Sequence, residues 1–379
     1  MSINFKEMSK FKFLFFVFLS FEMLQAQDNS RDNLLNYIKA NWATPEDYVI
    51  SKFKDHDYIF IGEYHRIKHD VELISNLIPL LYKNQIYNLA IEFGVYDNQY
   101  LIDSLINAPE FNRKLIDSIF FKYYPAWGYK EYIDLYEAAW DVNHSPNSGT
   151  NKFRIINLGC LYNPCVRNHF NGNDPDIYMA HVVMKELVSK NQKALIYSGC
   201  HHAFTKYHQP LYDFEKDTLY GFNTTRMGNV IYDSLKEKIF NIYLHAAWIS
   251  DKGFDADGVF PVNGVIDSVM NNFSDKRVGF DVVNSPFGKL RASGTYYAFG
   301  YSDFTLDKFC DGYIYQHSFK DYEPITMEAN FITKTNIDEL KTFLSCLNLP
   351  AKYVNSITVR NANEELFEDI RNHFKHLMK

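Results

Sequence analysis

The chain has 379 residues, 46% of them hydrophobic and 17% aromatic, and carries a formal net charge of −7. That supply of apolar side chains suffices for a large folded core and excludes a linker or a disordered tail. No cluster of Lys and Arg is dense enough to neutralise a row of phosphates, so nucleic acid is excluded as an expected partner.

Lys6, Lys10 and Lys12 lead into the apolar run FLFFVFLSF (Phe13 to Phe21), and EMLQAQ follows with the small residue Ala26. A basic head, a short apolar middle and a small-residue end predict a secretory signal over 1–26. The run is too short to anchor in a bilayer, and no later stretch reaches transmembrane length. The mature protein is therefore expected to be periplasmic or secreted, with no membrane span. Export permits a disulfide, and among Cys160, Cys165, Cys200, Cys310 and Cys346 the nearest pair in sequence is Cys160 with Cys165. No C-x-x-C spacing points to a zinc ribbon or a thioredoxin-like site.

From residue 58 onward, short apolar runs alternate with helical-period segments. YIFIG (58–62) precedes DVELISNLIPLLYKN, NLAIE (88–92) precedes NQYLIDSLINA, and RIINLG spans 154–159. DIYMAHVVMKELVSKN then leads to ALIYSG (194–199), and SLKEKI to NIYLHAA (241–247). Strands apolar on both faces and separated by helices predict an α/β fold with a mostly parallel central sheet flanked by helices on both faces. Past residue 250 the pattern loosens into a less regular C-terminal extension, in which RVGFDVV and DGYIYQ either extend the sheet or lie over its rim. NIDELKTFLSCL (336–347) and NEELFEDIRNHFKHLM (363–378) read as closing helices. The expected organisation is a single α/β domain over 27–330 and a helical cap over 331–379.

In such a sheet, ligands collect at the carboxyl ends of the strands, where loops converge and helix N-termini point. Those ends carry Glu63 and His65, then Glu92, then Asn157 and Cys160, then His201 and His202, then His245. A carboxylate beside an imidazole raises its pKa and orients its ring, as general-base chemistry requires. GEYH and GCHH share the spacing G-x-x-H and bracket Glu92, which predicts one site built from Glu63, His65, Glu92 and His202. His201 is expected to point away from His202, His245 to sit in either core or pocket, and His69 to lie on a solvated helix face. Cys200 reads as a buried spacer. Two His and two Glu suit zinc or manganese as well as metal-free water activation, with His65, His202 and Glu92 as the metal-ligand set. The aromatic FFKYYPAWGY and the loops over 96–130 and 250–310 predict a roomy pocket wall or lid.

GEYH (62–65), AIEFG (90–94), DIYMA (176–180) and GCHHA (199–203) resemble, in this order, the motifs of the superfamily that joins erythromycin esterases, ChaN-type haem-binding lipoproteins and Tiki-type proteases. RMGNVIYDSL and DGYIYQHSFKDYEPIT add to the resemblance, which covers roughly residues 55 to 325. It implies three alternatives. Esterase-like members hydrolyse lactones without metal, with His65 as base, Glu63 orienting it, and His202 and Glu92 completing the site around a small-molecule substrate. Tiki-like members are metal-dependent peptidases, and ChaN-like members bind haem without catalysis. Asp176 and His201 become supporting candidates, together with His245. Pro175 stands where many members carry a basic residue, which puts in doubt a cation beside Asp176.

Overall fold

Five runs apolar at nearly every position leave a sheet with no wet face, and the computed structural model of the chain has that sheet. It describes residues 31–146, 149–166, 170, 172–364 and 370–378; the expected signal over 1–26 lies outside them. Two helices, α1 (31–41) and α2 (Pro45–Lys52), precede β1 (Tyr58–Glu63). There follow α3 (Lys68–Lys83), β2 (Asn88–Val95), α4 (Gln99–Leu105), α5 (Arg113–Tyr123), α6 (Lys130–His144), β3 (Arg154–Gly159), α7 (Pro175–Glu186) and β4 (Ala194–Gly199). A hairpin of β5 (Gln209–Asp213) and β6 (Thr218–Asn223), α8 (Met227–Leu235), β7 (Ile239–Leu244), α9 (Val265–Asn271), β8 (Val278–Asp281) and β9 (Gly312–Tyr315) complete the frame.

The seven-stranded sheet has the order β3-β2-β4-β1-β7-β9-β8 and is parallel except for β8 at its edge. RVGFDVV and DGYIYQ therefore extend the sheet. Alternate residues of the central strands pack on opposite faces. Ile59, Ile61, Leu89, Ile91 and Leu195 meet α3, α5 and α6, whereas Phe60, Ala90, Ile156 and Ile196 meet α7 and α8. Glu63 has the parity of Ile59 and Ile61, so its side chain enters the face covered by α6. The register that pairs Glu63 with Gly199 and Ile91 with Tyr197 brings the ends of β1, β4 and β2 level.

Helix α7 shows what Pro175 does. Asp174 caps the helix by accepting from the Ile177 N–H at 3.1 Å, and Pro175 sits at the first helical turn, where its fixed φ is already helical and its missing N–H is not needed. Asp176 is thereby delivered, buried, at the start of the helix.

The C-terminal helices share the main core: Phe331, Leu340, Phe343, Leu344 and Val354 pack in the cluster of α3, α5 and α6. The expected helix over 363–378 is described as two pieces, Val359–Glu364 and Ile370–Phe374; residues 365–369 lie outside the described residues. The disulfide joins Cys165 to Cys346, 181 positions apart, and Cys160 is a free buried thiol, which corrects the nearest-pair expectation. A cross-link over so long a loop removes much chain entropy from the unfolded state, so reduction is expected to cost about 3–5 kcal/mol. Thermal melts with and without reductant measure it; coincident melts would show that the bond adds no stability. Among the described residues no helix is long and apolar enough to cross a membrane.

Candidate active site

The carboxyl ends of β1, β4 and β2 meet at one point, and Gly199 is that point. Its N–H donates to Glu92 Oε2 at 2.7 Å. A side chain at this position would begin 2.7 Å from His65 Cε1, 2.9 Å from His65 Nε2 and 3.4 Å from Glu92 Oε2. The absent Cβ lets the imidazole lie against the end of β4 with its Nε2 edge beside the Glu92 carboxylate. Gly62 allows a similar close approach on β1, since its Cβ would lie 2.8 Å from Cys200 Cα.

His65 is held from behind. Its Nδ1 lies 2.7 Å from Glu63 Oε1, and Phe93 and Trp127 stand edge-on to its ring at 5.5 Å and 5.4 Å between centroids. Phe93 and Trp127 stack on each other, so the ring has a rigid aromatic wall. Glu63 is fully buried, whereas 36% of the His65 side chain is exposed. Burial opposes the imidazolium, but the hydrogen bond donated to Glu63 and the charges of Glu92 and Glu63 outweigh it and hold the His65 pKa above its ordinary value. Burial also raises the pKa of Glu63, against the pull of His65 and of the Tyr132 hydroxyl.

His202 forms a second dyad. Its Nδ1 lies 2.7 Å from Asp176 Oδ1, and its Nε2 lies 3.4 Å from Glu92 Oε1. Asp176 also accepts from the Met227 N–H at 2.8 Å and from Arg226 at 3.0 Å. Burial works to raise the pKa of Asp176; His202, the Met227 N–H and Arg226 together lower it below the usual carboxylate value. Burial works against the charged form of His202, and the Glu92 and Asp176 carboxylates overcome it and raise its pKa. Gln209 on β5 accepts from Arg226 at 2.6 Å and fixes that guanidinium. The cation that Pro175 fails to supply thus comes from Arg226, at the cap of α8. Nothing in the local sequence of Asp176 shows this pairing.

The four residues expected at one site are brought together, with Glu92 between the two Nε2 edges, and Asp176 supports them. His201 turns to a different partner from those of His202. It lines the same cavity as His202, bonded to the Tyr297 hydroxyl at 2.9 Å; burial first, then the nearby Arg226, lowers its pKa to about 3 and keeps it neutral. Cys200 also lines the cavity, and burial pushes its thiol up to about 12, far from a thiolate nucleophile. His245 stands outside the site: its ring is buried between the Tyr313 hydroxyl at 2.8 Å and Asp267 at 3.1 Å. His69, expected in solvent, packs against His317 and Tyr322, where burial drives its pKa well down.

The cavity above the dyads has a volume of about 310 Å³, at the small end of the range for small-molecule sites. Ala247, Trp248, Ile249, Phe254 and Tyr297 form an apolar wall, drawn partly from the expected 250–310 region, and Arg66 and His373 bring polar groups to it. The C-terminal segment closes the rim: His373 Nε2 lies 2.6 Å from the Tyr64 hydroxyl, and His376 Nε2 lies 2.7 Å from the Gly258 carbonyl. A carboxylate on Nδ1 also orients metal-binding imidazoles. Among the described residues, no group of three or more His, Cys, Asp or Glu side chains is placed to hold a metal ion.

No protein-family model matches the chain, and no curated protein matches it in sequence. A solved structure described as a succinoglycan biosynthesis protein superposes with a TM-score of 0.55 at 14% identity, covering 79% of this chain and 99% of that one. A Bacillus cereus protein gives 0.54 at 10% identity, again over 79% of this chain and 99% of the other. An erythromycin esterase in its open conformation gives 0.48 at 9% identity, over 76% and 95%. The first two likenesses establish that the chain has the same α/β fold as these proteins.

Proposed function

We propose that the protein is a hydrolase of small esters or lactones in which His65 activates water. The observation that carries this reading is the one-sided engagement of His65: Nδ1 is committed to a buried carboxylate, and Nε2 lies at the cavity beside Glu92. Water between His65 Nε2 and the acyl carbon loses a proton to the ring as its oxygen bonds to carbon. The tetrahedral intermediate then expels the alkoxide, which takes a proton from His202 Nε2. The acid and the alcohol leave, and the proton gained by His65 returns to His202 past Glu92. The Cys165–Cys346 bond favours an oxidising compartment and supports export.

A panel of chromogenic esters and lactones of graded size, run with and without chelator, tests the proposal. Turnover that survives chelation is expected. Activity lost to chelator and restored by zinc or manganese would replace it with the metal-dependent reading, and a Soret shift on adding hemin, with no turnover, with the haem-binding one. The pH profile of kcat/KM is expected to be bell-shaped, since His65 must be free of its proton and His202 must carry one. Both ordinary values are 6.5 and both are raised, so both limbs lie above pH 6.5. The two apparent constants belong to the coupled pair. An optimum below pH 6 contradicts the assignment.

A further inference from the structure

Three donors converge on Glu63, the most deeply buried carboxylate of the site. His65 Nδ1 and the Tyr132 hydroxyl, at 2.5 Å, meet Glu63 Oε1, and the Tyr197 hydroxyl donates to Oε2. Tyr132 comes from α6 and Tyr197 from β4, both fully buried, and both hydroxyls reach Glu63 because it shares the sheet face of Tyr197. Neither tyrosine lines the cavity. No Lys or Arg is bonded to Glu63 among the described residues, so hydrogen bonds and the charge of a protonated His65 are what offset the burial of its own charge.

That matters for the tautomer of His65. A buried carboxylate without a cation tends to take up a proton. Were Glu63 to hold the shared proton and donate it to Nδ1, His65 would carry its own proton on Nε2, and that edge could no longer accept one from water. Hydroxyl donors on both carboxylate oxygens favour the ionised form and leave the proton on Nδ1.

We propose that Tyr132 and Tyr197 are positioning residues that keep Glu63 ionised and thereby hold His65 in the tautomer with a free Nε2. The catalytic consequence rests on the hydrolytic reading above; the tautomer itself does not. The test is therefore nitrogen NMR of histidine-labelled full-length protein at pH 8, with no substrate present. His65→Gln identifies the resonance. The parent is expected to show an unprotonated Nε2 and a protonated Nδ1. In Tyr197→Phe, and more completely in Tyr132→Phe/Tyr197→Phe, the Nε2 signal is expected to move toward the protonated range. Where a substrate is found, kcat should fall about 10-fold or more in each single variant, with KM unchanged because neither side chain reaches the cavity.

Circular dichroism separates this outcome from loss of fold. Should the double variant fail to fold, fluorotyrosine at position 197, a stronger donor of the same shape, is expected to move the His65 resonances in the opposite sense. An Nε2 signal unchanged across the folded variants overturns the proposal and leaves the two tyrosines as packing. A changed tautomer in a protein that turns over no ester or lactone would instead keep this inference and sink the hydrolytic reading.

Discussion

Glutamine at position 63 is expected to lower turnover about 10³- to 10⁴-fold, the scale seen when the carboxylate behind a catalytic histidine becomes an amide. The reason is local. The Glu63 carboxylate accepts from His65 Nδ1, Tyr132 and Tyr197. Glutamine offers one acceptor oxygen and an amide that can only donate, so at least one donor loses its partner. If the amide faces the ring, His65 must accept at Nδ1 and carry its proton on Nε2. His65→Ala should be at least as damaging, because His65 Nε2 is the nitrogen that stands against Gly199 beside Glu92. Steady-state kinetics on the best substrate of the ester panel, with circular dichroism as the control for folding, measures both. Parental turnover in a well-folded Glu63→Gln protein would remove Glu63 from the mechanism.

The second large effect is on stability. Gly228 lies in the first turn of α8, where a Cβ would stand 2.4 Å from the Phe204 carbonyl oxygen and 2.9 Å from that of Ala203. Its N–H donates to the His202 carbonyl at 2.8 Å. Alanine is the better helix former by about 1 kcal/mol, but backbone cannot yield as a side-chain tip does. Gly228→Ala should therefore destabilise by about 2–3 kcal/mol and lower the melting temperature by about 3–4 °C. The same displacement pulls the Met227 N–H and Arg226 away from Asp176. Loss of these donors lets the pKa of Asp176 rise, and moving the Arg226 charge away removes a group that lowers the pKa of His202, so the alkaline limb of the pH profile shifts upward. Thermal denaturation together with that profile tests the coupling. A variant as stable as the parent would mean that the helix start can slide without penalty.

Much of this was legible in the sequence, for identifiable reasons. RIINLG and ALIYSG became strands at the expected residues because runs buried on both faces admit few other structures. Glu63, His65, Glu92 and His202 could be grouped because each ends a strand and parallel strands end together. What escaped was set by contacts distant in sequence. Asp176 stands 50 positions from Arg226, and Cys165 stands 181 from Cys346. Tyr132 and Tyr197 sit in apolar stretches where a tyrosine reads as core, and only the sheet register shows their hydroxyls at Glu63. The β5–β6 hairpin, which supplies Gln209, has a turn of Phe214, Glu215, Lys216 and Asp217 rather than the Asn-Gly or Asp-Gly pair that announces one. His69 was expected on a solvated helix face, yet its ring packs against His317 and Tyr322 and its neighbour Asp70 is itself buried, contacts that come from residues distant in sequence.

The order β2-β4-β1 places the proposed reacting groups and the cavity wall in different regions of the chain. Glu92, Gly199 and Glu63 sit on three neighbouring strands, whose separation of about 4.8 Å is fixed by backbone hydrogen bonding. Trp248, Phe254 and Tyr297 come from connections after β7, and His373 from the far end of the chain. Insertions or exchanges in those connections can reshape the cavity without altering the distance between base and acid. Diversification of specificity, natural or by design, is then free to proceed by loop replacement on an unchanged catalytic ruler.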